Sequence, residues 1–117
     1  MNNEILDVEE FLERVQDDRE LMLELLDIYE QDYVQRRKAL GQAFDKKNAQ
    51  EVSNTAHAMK GASGNISAKK IHVICYKLEQ LGKDGNLGEV AGLLAQLDEE
   101  FKALQKSMTE IRAQYKK

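Results

Sequence analysis

TAHAMKGASGN, residues 55–65, decides how this chain is read. Around it, Val52, Ala56, Met59, Ser63 and Ile66 recur at helical spacing and define a core stripe. The spacing predicts a helix from the cap Asn48 to about Ile66. Yet Gly61 and Gly64 lie inside it, and an interior glycine costs about 0.8–1 kcal/mol relative to alanine. Residues three and four apart share a helix face. His57, Lys60, Gly61 and Gly64 therefore form a second stripe, rotated off the core stripe toward solvent.

Working outward, the same periodicity predicts four more helices. A short one runs from Val8 to Val15, capped by Asp7, with Val8, Phe11, Leu12 and Val15 inward. A long one runs from Arg19 to Phe44, capped by Asp18. Its stripe is Leu21, Leu25, Ile28 and Tyr29, continued by Val34, Leu40, Ala43 and Phe44. After the central helix, Ser67 is expected to cap a fourth that reaches Leu81 and buries Ile71, Ile74, Cys75, Leu78 and Leu81. GKDGNLG reads as a loop. The fifth helix runs from Leu87 to Tyr115, with a seam from Val90 through Leu93, Leu94, Leu97, Phe101, Leu104, Met108 and Ile111 to Tyr115.

There is no strand-like alternation and no proline to interrupt long hydrogen-bonded runs. Long amphipathic helices with short connections imply an all-α fold: an antiparallel up-down four-helix bundle with a short additional N-terminal helix. The length of 117 residues fits a single domain over 1–117.

No apolar run approaches the roughly 20 residues of a membrane span. The acidic opening MNNEILDVEE does not read as a secretory signal. The lone Cys75 has no internal disulfide partner, so a cytoplasmic setting is expected. A net charge of −4 argues against nucleic acid as a partner. The charge is unevenly spread: residues 1–35 carry twelve acids and two bases, residues 36–70 eight bases and two acids. That basic middle is either a set of solvated faces or a docking surface for an acidic protein.

The residue types of the second stripe match one chemistry. A neutral imidazole nitrogen is nucleophilic near pH 7. A lysine one turn on can balance charge on incoming phosphoryl oxygens. Two glycines leave the approach to His57 open, as in-line transfer from a protein donor requires. His72 lacks a Lys-Gly pair at that spacing and reads as structural or surface. No Cys or carboxylate pattern completes a metal site with the two histidines.

AHAMKGASGNISA resembles the signature of histidine-containing phosphotransfer (HPt) domains of two-component phosphorelays, approximately A-H-x-L-K-G-[SA]-[AS]-G-x-[LI]-[GS]-A. Ala56, His57, Lys60, Gly61, Ala62, Ser63, Gly64, Ile66 and Ala68 match; Met59 replaces Leu, and Ser67 stands where Gly is common. FLERVQDDRELMLELLDIYEQD and VICYKLEQLGKDGNLGEVAGLLAQLDEEF resemble the helices on either side.

The resemblance implies a four-helix bundle with an exposed phosphorylatable His57, reacting through Nε2. His57 would take the phosphoryl group from the aspartate of one receiver domain and pass it to another. Lys60 would stabilise phosphoryl charge, and Gly61 and Gly64 would admit the receiver. Glu79 aligns with a Gln or Glu that can bond the other imidazole nitrogen; the alternative is an ordinary surface carboxylate. Lys83 aligns with a basic position near the docking site.

Such a domain is not an enzyme by itself and holds no cofactor. Mg²⁺ is expected on the receiver. The implied partners are response-regulator receiver domains and a hybrid sensor histidine kinase, with this chain a monomer. A start at Met1 and an end in Lys116–Lys117 without a linker favour a free-standing protein. Two other readings stand beside this one: the phosphoacceptor domain of a chemotaxis-type histidine kinase, and a helical adaptor that is never phosphorylated.

Overall fold

The computed structural model describes residues 5–115. Met1 and Lys116–Lys117, on which the expectation of a free-standing protein rests, lie outside the described residues. Among them five helices follow in order: α1 Val8–Arg14, α2 Arg19–Asp45, α3 Ala49–Asn65, α4 Lys69–Asp84 and α5 Val90–Tyr115. Among the described residues there is no strand. α2 to α5 form the antiparallel bundle. α3 packs most extensively on α4, and contacts of α2 with α3, α4 with α5 and α2 with α5 close the ring. α1 lies at one end, where the Asp7 N–H donates to the Ser67 carbonyl at 3.0 Å.

Three helix starts follow from short polar side chains. Asp7, Asp18 and Asn48 accept from the backbone N–H of Glu10, Leu21 and Glu51 at 3.1, 3.0 and 3.1 Å, satisfying donors that a helix start leaves unpaired.

The fourth start differs from the expectation. Ala68 occupies the N-cap of α4, with no side-chain cap. Ser67 instead closes α3 in the left-handed region at φ +64°. Its N–H donates to Gly64 O and that of Ala68 to Ser63 O, the paired closure of a Schellman motif. The Ser67 hydroxyl turns away and donates to Glu10 at 2.6 Å. A left-handed backbone explains why glycine is common at this position.

The core runs the length of the bundle through Met22, Leu26, Leu40, Val52, Ala56, Met59, Leu78, Leu97, Leu104 and Met108, all buried. α3 buries its expected stripe, and α5 buries its seam except for Leu93 and Tyr115, which are partly buried. α2 does not. Its inward residues are Met22, Leu26, Tyr29, Tyr33, Leu40 and Ala43, whereas Leu21, Ile28 and Val34 are exposed and Leu25 is only partly buried. LMLELL offers apolar residues to several faces at once, so it cannot set its own rotation. The tyrosines set it. Tyr33 stacks on Phe101 of α5 with centroids 3.6 Å apart, and the Tyr29 hydroxyl bonds Ser63 of α3 at 2.8 Å.

The last two boundaries also shift. α4 continues past Leu81 to Asp84, so Gly82 is helical and buried, not part of a loop. α5 begins at Val90, which leaves Leu87 in the connection. At Gly82 the backbones of α3 and α4 approach closely. A Cβ there would lie 2.6 Å from Ser53 N and 2.9 Å from Ala49 O, both α3 backbone.

Candidate functional site

The close approach of α3 and α4 brings His57 and Glu79 together across 22 residues of sequence. The imidazole is 67% exposed, but its Nδ1 lies 2.9 Å from Oε2 of Glu79, whose side chain is 4% exposed. Glu79 is therefore not a surface carboxylate. Leaving it ionised and unpaired in this position would be costly. Three basic side chains surround it. Lys60 Nζ is 2.6 Å from Oε1, and Lys83 Nζ, one turn along α4, is 3.4 Å from Oε2. The Lys60 amine lacks the alignment of a hydrogen bond to Oε1; at 2.6 Å the pair attracts by charge whichever way its N–H bonds point.

Lys60 does most to hold the Glu79 carboxyl down to about 2, with His57 and Lys83 adding to it against the upward push of burial. An ionised carboxylate has no proton to give and only accepts. Nδ1 of His57 must then be the donor, which fixes the neutral ring as the Nδ1–H tautomer and leaves a lone pair on Nε2. The arrangement thus presents one nucleophilic nitrogen on an exposed ring, oriented from behind by a buried anion.

The structure gathers His57, Lys60, Glu79 and Lys83 around one carboxylate. Lys83, read from sequence as a docking residue, is tied to Glu79 rather than standing apart. The two glycines separate. Gly61 is open: a Cβ would meet nothing within 4 Å. Gly64 is not simply open, since a Cβ there would lie 3.1 Å from His72 Nδ1. His72 is structural, its Nδ1 donating to the Lys60 carbonyl at 2.9 Å. Gly64 makes room for that histidine as well as for any approach to His57.

The basic middle of the chain is also thinner than its charge count. Arg36 pairs with Asp32, Arg37 with Asp98, Lys60 with Glu79, and Lys69 with Asp7 and Glu10. That leaves Lys38, Lys46, Lys47 and Lys70 of the eight.

Sequence reasoning missed Gly82 and Tyr76. Gly82 sets the α3–α4 spacing on which the His57–Glu79 bond depends, and its only sign was a third glycine in a loop-like run. Tyr76, half-exposed on α4, puts its ring 5.6 Å from Lys60 Nζ. Cys75 is buried, its thiol pushed up to about 12 by burial, and takes no part. No group of three His, Cys, Asp or Glu side chains among the described residues is placed to hold a metal ion. No helix among them is long and apolar enough to cross a membrane.

An exposed histidine steadied by a carboxylate on the neighbouring helix of an up-down bundle is the arrangement that the resemblance to HPt domains implies. The family model of the Hpt domain matches residues 8–107, and the chain belongs to the Hpt domain family. The chain is 25% identical over 105 residues to histidine-containing phosphotransfer protein 2 of Arabidopsis thaliana, covering 86% of this chain and 67% of that protein. Its fold superposes on the crystal structure of histidine-containing phosphotransfer protein B (HptB) from Pseudomonas aeruginosa PAO1 with a TM-score of 0.89 and 27% identity, covering 96% and 97% of the two chains. Membership of this family supports a phosphotransfer role in two-component systems.

Proposed function

We propose that the chain is a phosphorelay intermediate. His57 accepts a phosphoryl group from the aspartate of one receiver domain and passes it to the aspartate of another. The observation that carries this reading is the 2.9 Å bond from Nδ1 to a buried, ionised Glu79, which leaves a lone pair on Nε2 of an exposed ring.

In the accepting step, the Nε2 lone pair forms a bond to phosphorus as the P–O bond of the aspartyl phosphate breaks. The receiver's aspartate leaves as carboxylate. The proton on Nδ1 stays where it is, and the ring becomes cationic against Glu79. Passing the group on is the reverse sequence with a second aspartate. Lys60 lies close enough to the ring's carboxylate partner to turn toward the phosphoryl oxygens, where charge is spread in the transition state. The chain contributes position and charge. Mg²⁺ and the remaining catalysis belong to the receiver, so the chain is a carrier and not an enzyme by itself. A hybrid sensor histidine kinase would supply the first receiver.

The test is incubation with a phosphorylated receiver domain. The label on this chain should be acid-labile and alkali-stable, as phosphoramidates are. His57→Gln should abolish it while circular dichroism stays helical. A His57→Gln chain that still takes the label overturns the proposal, and a wild type that takes none leaves the helical-adaptor reading standing.

A further inference from the structure

Lys60 is already committed in this structure. Its ammonium sits 2.6 Å from Oε1 of Glu79. To meet phosphoryl oxygens on Nε2, it must leave that carboxylate. A lysine side chain released from its partner regains rotamer freedom, which it must give up when it is ordered again. Glu79 is not abandoned by the move, because Lys83 and His57 remain on Oε2.

What steadies Lys60 is Tyr76. It precedes Glu79 by three residues on α4 and so shares its face. The Lys60 ammonium lies over its ring, 5.6 Å from the centroid, within the range where a ring face attracts a cation. We infer that Tyr76 is a positioning residue for Lys60: its ring face keeps the ammonium beside the site when Lys60 exchanges Glu79 for the oxygens of a phosphoryl group on His57. This rests on the phosphotransfer reading.

The test uses potassium phosphoramidate, a donor too small to need a docking surface. Nε2 forms the bond to phosphorus, the P–N bond breaks, and ammonia leaves with the electron pair while Nδ1 keeps its proton. Phosphohistidine formation is followed by ³¹P NMR in the full chain. Tyr76→Leu should slow it about two- to fivefold, the worth of an exposed cation–ring contact. Tyr76→Phe, which keeps the ring, should react like the wild type. In a Lys60→Ala background, Tyr76→Leu should have no further effect. The Lys60 ε-methylene protons should be shifted upfield in the wild type and in Tyr76→Phe, and lose that shift in Tyr76→Leu.

Tyr76→Leu reacting at the wild-type rate overturns the inference; that is also the result if Tyr76 only anchors a protein partner. An equal loss in the Lys60→Ala background overturns it too. A wild-type chain that forms phosphohistidine beside an unaffected Tyr76→Leu removes this inference alone. A wild-type chain that forms none removes the phosphotransfer reading, and the inference with it.

Discussion

At the scale of the residue, the account turns on a carboxylate hidden behind a histidine. Glu79 is held at about 2 against an ordinary 4.5. A depressed folded-state value means the ionised form stabilises the fold above pH 4.5, and that this contribution drains away as pH falls to about 2. At roughly 1.4 kcal/mol per unit, discounted for solvent screening, it amounts to about 1–3 kcal/mol. Urea unfolding of wild type and Glu79→Gln should therefore differ most at neutral pH and converge below pH ~2.5; a constant gap across the range would contradict the assignment. Gly61 gives a cleaner probe of open access than Gly64, whose neighbour is His72. Gly61→Gln has room for its side chain and gains up to about 1 kcal/mol of helix propensity. It should unfold no more easily than wild type, yet transfer from a receiver should slow. Unchanged transfer would discard the idea that the glycine keeps a protein donor's path clear.

At the scale of the element, the spacing of α3 and α4 is the critical dimension, and Gly82 sets it. Any Cβ there collides with α3 backbone, which cannot move aside as a flexible side chain would. Gly82→Ala should cost about 1–3 kcal/mol as overpacking, measurable as a lower urea midpoint. It should also lengthen the bond between His57 and Glu79, seen by NMR as an upfield shift of the His57 Nδ1 proton. A substitution that left both unchanged would show that the contact is not limiting. Helix starts were legible because Asp7, Asp18 and Asn48 carry their own physical signal. Helix ends were less so. α1, α2, α3 and α4 all finish in left-handed residues, at Gln16, Lys47, Ser67 and Gly85, and only the last is a glycine. The polar composition of a turn marks its place. It does not say which residue takes φ > 0, and so composition places Ser67 at the start of one helix when it ends another.

At the scale of the whole molecule, helix order and the site stripe were legible because each rests on strong periodicity and on a motif whose residues share one face. The rotation of α2 was not. It depends on which partners its tyrosines meet on α3 and α5, and a local pattern carries no record of that. Glu79 lay between: its alignment suggested a role, but its burial came only from the packing of α4 on α3, which sets it beside His57, 22 residues away in sequence. The α5 seam, long enough to invite a second chain, is spent inside the bundle, where Val90, Leu94, Leu97, Phe101, Leu104, Met108 and Ile111 are buried. Among the described residues the exposed large apolar side chains, Leu21, Ile28, Val34, Val73 and Tyr76, are shared between α2 and α4. Sedimentation should accordingly show a 13.4 kDa monomer; a dimer at micromolar concentration would mean that one of those faces is an interface.

The central claim is that Nε2 of His57 holds the phosphoryl group while Nδ1 keeps its proton on Glu79. Its most direct test is ¹⁵N–³¹P correlation NMR on the phosphorylated chain with ¹⁵N-labelled histidine. The account predicts coupling of phosphorus to Nε2 of His57 and a proton on Nδ1. Coupling to Nδ1, or to His72, would contradict it.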